Sequence, residues 1–338
     1  MPRLIPRKRK VNSVLQGFLR RTRTGDRSVD ASEQGHEPVA GRPSIGLAMG
    51  GGAARGLAHI GVLRTLLAHG IRPDVIVGTS MGAVVGGCYA AGQLDSLADW
   101  ACSLTRRRIL GYLDVSLAGS GLIRGSRLAR HLEGRIGSIK IEELDTRFAA
   151  IATEIETGHE VWLTRGRLLE ALRASYALPG VFAPVHIGGR WLVDGALVNP
   201  VPVSAARALD ARLVIGVSTN ADLFGRGTTI HSHGFDEEEE APPEEIPPRG
   251  LSLGRLLKRK LIAGRPGLPT VMIEAYNVMQ DRITRARLAG DPADITISPR
   301  LGHIGLFEFH RAEEAIRIGA EATERALETI VEASTALA

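Results

Sequence analysis

Cysteine is scarce, with Cys88 and Cys102 the only two in the chain. Two cysteines cannot build a disulfide framework, and their scarcity points to a reducing compartment. No apolar stretch reaches the roughly 20 residues that a membrane-spanning helix needs. The N-terminus carries charge but lacks the apolar core of a secretory signal. Together these absences predict a cytoplasmic protein. Aromatic residues are only 4% of the chain. No aromatic-basic interleaving, zinc knuckle or helix-turn-helix pattern is present, so no nucleic-acid partner is expected. Acidic residues are missing from one region: residues 1–25 hold eight Arg or Lys (Arg3, Arg7, Lys8, Arg9, Lys10, Arg20, Arg21, Arg23) and no Asp or Glu. Subtracting that +8 from the chain's net +5 leaves −3 on the remainder. The basic character belongs to a tail, and the body has no electrostatic claim on a polyanion.

Residues 1–42 are rich in charge, Ser, Gly and Pro, and read as a disordered basic tail. Within them Val11, Val14, Leu15, Phe18 and Leu19 fall at i, i+3, i+4, i+7 and i+8. That spacing draws one apolar helical face, flanked by arginines, which could touch an anionic membrane surface peripherally. A plain disordered tail, a helix docked on its own domain and an Arg-rich transit peptide are rival readings. Nothing in the sequence sets an oligomeric state.

The material for a large core is present, at 44% hydrophobic residues with 40 glycines. A core of Ala, Val, Leu and Ile with tight turns is the composition of an α/β fold. One domain is expected over 43–335. Its first strand is Ile45 to Met49, followed by a glycine turn and a helix from about Arg55 to His69 closed by Gly70. A second strand, Asp74 to Val77, leads into a turn at Ser80 and a small-residue helix over 83–91. Strand, turn and helix twice over is the pattern of parallel α/β units. Later strands are expected at 148–153, 161–163, 191–193, 213–218 and 294–297. Later helices are expected at 126–134, 167–175, 202–208, 271–288 and 308–334. Residues 225–250, with Asp236 to Glu240 and two Pro-Pro pairs, cannot bury a core and read as an exposed, mobile insertion. The basic stretch Leu251 to Ile262 that follows could pair with the acidic run, touch lipid or be solvated.

The chemistry concentrates in glycine-built turns. Gly78-Thr79-Ser80-Met81-Gly82 is a Gly-x-Ser-x-Gly motif between an apolar strand and a small-residue helix. Such a turn lifts a serine hydroxyl clear of the sheet at the positive end of a helix. Gly50 to Gly56 fails the spacing of a dinucleotide loop, because Arg55 holds the sixth position, and lacks the Lys-Ser/Thr of a P-loop. What remains is a row of N–H groups at a helix start, suited to a developing oxyanion. A nucleophilic serine needs a base. His303, in Gly302-His303-Ile304-Gly305, is the best-placed histidine for a Ser-His-Asp esterase. Asp194, delivered by the strand Arg190 to Val193 into the turn Gly195-Ala196, is the stronger candidate.

These residues together resemble the patatin-like phospholipases. The family's three motifs stand in order: Gly50 to Gly56, Gly78 to Gly82, and Asp194-Gly195-Ala196. The segments Ala177 to Pro184 and Asn199 to Pro202 look similar too, and the resemblance is clear over about 45–220. It implies a three-layer α/β/α sandwich around a mostly parallel sheet. It implies a Ser-Asp dyad, with Ser80 the nucleophile and Asp194 the base. The N–H groups of Gly51, Gly52 and Ala53 would hold the oxyanion and Arg55 would brace their loop. Substrates would be carboxyl esters of phospholipids or lysophospholipids, with no metal or organic cofactor. One departure is Ala53, where many members carry glycine, which puts the geometry of the loop in question. The rival class is a non-catalytic lipid-binding or regulatory protein on the same fold.

Overall fold

Short runs of β-branched and small apolar residues build the centre of the fold. The computed structural model describes residues 42–112, 121–123, 132–223 and 267–338. The expected tail helix, the acidic insertion at 225–250 and the stretch Leu251 to Ile262 lie outside the described residues. So does most of the expected helix at 126–134.

One sheet runs β10-β9-β1-β2-β4-β8-β7, with β5 also paired to β4. These are Ile45–Met49 (β1), Val75–Thr79 (β2), Arg147–Glu154 (β4), Glu160–Leu163 (β5), Val185–Ile187 (β7), Arg190–Asp194 (β8), Leu213–Val217 (β9) and Ile295–Ile297 (β10). Gly121–Ile123 (β3) and Gly180–Phe182 (β6) pair separately. The pairs β10-β9, β9-β1, β1-β2 and β2-β4 are parallel; β5, β8 and β7 join antiparallel. All five later strands expected from sequence form within a residue or two of their bounds.

Alternating side chains send two cores to opposite faces. Leu47, Met49, Ile76, Phe148, Ala150 and Ile215 face one side. Packed there are helices Ala58–Ala68 (α1), Met81–Ala90 (α2), Leu94–Cys102 (α3), Leu168–Ser175 (α5) and Ala312–Glu324 (α8). Ala48, Val75, Val77, Ala149, Ile151 and Val214 face the other, against Val203–Ala208 (α6). The result is the expected three layers, with small residues (Ala205, Ala206, Ala211) drawing the second face close. Further helices among the described residues are Arg106–Tyr112 (α4), Leu268–Gly290 (α7) and Leu327–Leu337 (α9).

Two expectations need correction. The single helix expected over 308–334 is a 3₁₀ turn, Phe309–Arg311, followed by α8 and α9 with a break at Arg325-Ala326. Thr323 turns its hydroxyl back onto the Gly319 carbonyl at 2.9 Å just before the break, a bond that bends helices. The helix expected from Arg55 opens instead with a 3₁₀ turn, Ala53–Leu57, before α1.

Candidate active site

Strand register brings the two motif residues together. β2 runs parallel to β4 until Thr79 stands opposite Ile151. β8 runs antiparallel to β4 and ends with Asp194 opposite Ala152. β5 occupies one edge of β4 from Ala150 to Thr153, so β2 and β8 share the other edge and meet head-on. Their ends face neighbouring residues of β4. The chain must turn out of the sheet at both Ser80 and Gly195, and the two side chains converge.

The turn at Ser80 is tight. Ser80 has φ 54 and ψ −121, a left-handed-side conformation that costs a non-glycine residue roughly 1–3 kcal/mol. A Cβ on Gly78 would strike the Ala83 backbone, and one on Gly82 the carbonyls of Met49 and Gly50. Both glycines are thus required by close backbone approach. The Ser80 N–H donates to Ser175 Oγ at 2.9 Å, and Ser175 donates onward to the Ile151 carbonyl at 2.6 Å. Ser175 therefore ties the turn to the strand where the two ends meet.

Asp194 is held from all sides. Its N–H donates to the Ala177 carbonyl at 3.0 Å, and its own carbonyl accepts from Thr153 Oγ1 at 2.9 Å. Carboxylate Oδ1 accepts from the Ala196 N–H at 2.9 Å, and Oδ2 accepts from Ser80 Oγ at 2.7 Å. A Cβ on Gly195 would strike the Ile151 carbonyl. The carboxyl is buried, and burial pushes its pKa up to about 6. The Ala196 N–H and Ser80, both hydrogen-bonded to it, and the Tyr276 hydroxyl facing it oppose that rise.

The glycine loop lies directly above. A Cβ on Gly51 would sit 3.4 Å from Ala196 Cβ and 3.5 Å from Ser80 Cβ. The Gly50 N–H donates to the Val217 carbonyl at 2.9 Å, and the Gly51 N–H to the Pro200 carbonyl at 3.0 Å. Gly51 is thus a structural anchor on the Asn199-Pro200 segment rather than a free donor. The N–H groups of Gly52 and Ala53 make no backbone hydrogen bond of this kind among the described residues. Gly52 has φ 150, and a Cβ there would strike Thr219 Oγ1, which donates to the Gly51 carbonyl. Ala53 has φ 47, so this alanine occupies the left-handed region where glycine is at home.

Buried polar side chains fix the loop from below. Arg55 donates through Nε to the Ile304 carbonyl and through Nη1 to Asn220 Oδ1, both at 2.8 Å. Burial lowers its pKa, against the pull of Asp222 and Glu274. His59 Nε2 lies 2.7 Å from the Gly50 carbonyl, so that nitrogen carries the proton. Burial drives the His59 pKa down to about 4, so the ring is neutral and acts as a strut.

His303 sits elsewhere in the hydrogen-bond pattern. Its Nε2 pairs with Glu314 Oε1 at 2.9 Å on a half-exposed side chain, while Ser80 Oγ is bonded to Asp194. Several residues at the site were not singled out in the sequence, among them Ser175, Tyr276 and Gln280. Tyr276 and Gln280 are four apart on α7 and share a helical face. That spacing was visible, but nothing local said which face meets the aspartate. A cavity of about 360 Å³ opens beside Arg55, lined also by Ile273, Asn277, Ile304, Leu306 and Phe307; neither Ser80 nor Asp194 lines it. Among the described residues no group of His, Cys, Asp and Glu could hold a metal ion, and no helix is long and apolar enough to cross a membrane.

A mostly parallel sheet flanked by helices is the architecture expected of a patatin-like protein, and sequence comparison agrees. A family model described as patatin-like phospholipase matches residues 47–207. An uncharacterised NTE family protein of Mycobacterium tuberculosis is 35% identical over 334 residues, spanning 85% of this chain and 92% of that protein. The lysophospholipase NTE1 of Pyricularia oryzae is 26% identical over 285 residues, which is 82% of this chain and 18% of that protein. Among solved structures, VipD from Legionella pneumophila aligns over 85% of this chain and 67% of its own, with TM-score 0.46 and 12% identity. The chain belongs to the patatin-like phospholipase family, and at that level it is a lipid hydrolase.

Proposed function

We propose that this protein hydrolyses carboxyl esters of phospholipids or lysophospholipids through a Ser80-Asp194 dyad and an acyl-enzyme. The observation that carries this reading is the 2.7 Å hydrogen bond from Ser80 Oγ to Asp194 Oδ2 at a strained turn. Ser80 Oγ attacks the ester carbonyl carbon as its proton passes to Asp194. The oxyanion forms against the N–H groups of Gly52 and Ala53. Removal of one such donor typically costs about 10²–10³ in rate. Collapse breaks the ester C–O bond; Asp194 returns the proton to the departing alcohol oxygen, and the acyl group stays on Ser80. Water then attacks, giving its proton to Asp194, and the fatty acid leaves as Ser80 Oγ is reprotonated.

A carboxylate is a weak base for a hydroxyl. Burial that lifts the Asp194 pKa to about 6 brings it near the operating pH, where general bases work best. A lipid substrate also agrees with the outer surface of α7, where Val271, Met272, Val278 and Met279 stand exposed. The test is fluorophosphonate labelling of the purified protein beside Ser80→Ala and Asp194→Asn, with soluble-ester and lysophospholipid hydrolysis assayed in parallel. Labelling is expected to vanish in Ser80→Ala and turnover in both variants. Folded wild-type protein that neither labels nor turns over would favour a lipid-binding regulator on the same fold.

A further inference from the structure

We infer that Tyr276 is a positioning residue of this site, the near end of a buried hydrogen-bond chain that fastens the Asp194 carboxylate to the arginine beneath the glycine loop. The inference rests on the dyad reading above.

The chain can be followed atom by atom. Arg55 Nη1 donates to Asn220 Oδ1 at 2.8 Å. Asn220 Nδ2 donates to Gln280 Oε1 at 2.8 Å. Gln280 Nε2 donates to the Tyr276 hydroxyl oxygen at 2.6 Å. Tyr276 packs in one cluster with Ala196, and its hydroxyl faces Asp194 and favours the ionised carboxylate. Its oxygen is already receiving the Gln280 proton donor, so its own proton is free to point at the carboxylate. Every link then runs in one direction, from a fixed positive charge toward a negative one. Such a chain polarises each successive bond, which strengthens the last one. Arg55, Asn220, Gln280 and Asp194 are all nearly inaccessible to solvent, and Tyr276 is 9% exposed. Water therefore does not compete for these groups at their full strength.

The layout gives Tyr276 two tasks. The first is orientation. Ser80 and Ala196 each donate to one carboxylate oxygen, and the Tyr276 hydroxyl from α7 would hold the group against rotation. The second is basicity. A donor to the ionised form favours it, so Tyr276 restrains the upward push of burial on Asp194. Without it the carboxyl would stay protonated further into the neutral range and could not accept the Ser80 proton there. The groups facing Asp194 are Ser80, Tyr276 and the Ala196 N–H; the charges beyond are Arg55 at the far end and Asp222 and Glu274 beside it.

The chain also joins two parts of the machinery that come from distant segments. Arg55 belongs to the turn that carries Gly52 and Ala53, and Gln280 Nε2 lies 3.6 Å from where a Gly51 Cβ would be. Movement of α7 would disturb base and loop together.

The experiment is the pH dependence of kcat/KM for a soluble p-nitrophenyl ester in wild type, Tyr276→Phe, Gln280→Met and Asp194→Asn. Fluorophosphonate labelling rates are read over the same pH range. In Tyr276→Phe the acidic limb is expected to move up by about one pH unit, giving an approximately tenfold loss on the acid side and a much smaller one at pH 8.5. Gln280→Met, which breaks the chain one link earlier, is expected to move the limb in the same direction by less. It also serves as the readout if Tyr276→Phe does not fold. A limb that stays in place in the folded variants, whether or not the plateau falls, overturns the inference, because a helix anchor would lower the rate without moving the pH profile. Retained turnover in Asp194→Asn would instead overturn the dyad itself, independently of Tyr276.

Discussion

Replacing Asp194 with asparagine should make the protein more stable while abolishing its turnover. The carboxyl moves from an ordinary 3.8 to about 6 on burial in the fold. The folded state therefore binds the proton more tightly than the unfolded chain does. Between those two values stability falls as pH rises, and the whole deficit is present above about pH 6. Each pH unit corresponds to about 1.4 kcal/mol, so the ionised carboxylate destabilises the neutral-pH fold by about 3 kcal/mol. Asparagine keeps the shape without the charge. Its Oδ1 can still accept from the Ala196 N–H, and its amide can donate to the Ser80 hydroxyl, which is free to accept. At pH 7.5 the melting temperature of Asp194→Asn should exceed that of wild type by roughly 4–8 °C. At pH 4 the wild-type carboxyl is largely protonated and the gap should close. Thermal melts of both proteins at the two pH values, followed by circular dichroism, decide the matter. An Asp194→Asn protein no more stable at pH 7.5, or one whose advantage grows on acidification, would refute the reasoning.

Backbone strain at the two positive-φ site residues gives further tests. Ser80→Gly should be more stable than Ser80→Ala by about 1 kcal/mol in denaturant melts, because glycine adopts φ 54 freely whereas alanine keeps the strain; equal midpoints would show that the turn is not strained. At Ala53, with φ 47, glycine should retain soluble-ester hydrolysis within about threefold, while Ala53→Val should lose at least tenfold because a β-branched residue resists the left-handed region. Full activity in Ala53→Val would mean that this backbone geometry does not matter to the reaction.

Much of the site was legible because it is built from local chemistry. Gly78, Gly82 and Gly195 stand where a Cβ would strike backbone, and such positions announce themselves as glycines in a motif. The strands around them read from their apolar runs. What could not be read was set by distant partners. The Gly51 N–H looked like a free donor until Pro200 supplied its acceptor. Tyr276 and Gln280 are ordinary helix residues until the fold turns their face to Asp194. Helix α3 was passed over although Leu94, Leu97, Ala98 and Ala101 repeat at helical spacing and are buried. The segment is short and runs into the arginines at 106–108, which mask its periodicity. The break between α8 and α9 has no glycine or proline to mark it.

Register also bears on why this site has no place for a histidine between serine and aspartate. β2 ends opposite Ile151 and β8 ends opposite Ala152, consecutive residues on one edge of β4. Two strand ends that meet so closely deliver Ser80 and Asp194 into direct contact at 2.7 Å, leaving no gap for an imidazole. A triad needs its acid set back by the width of a ring, with the histidine mediating. In the proposed dyad the acid is itself the base, and its basicity comes from its surroundings. Burial raises its pKa, and the contacts from Ala196, Ser80 and Tyr276 hold that rise to about 6. The strain at Ser80 and the buried charge at Asp194 lie on adjoining residues of the same meeting point. They persist because Ser175, Thr153 and Ala177 fix the backbone on both sides of it.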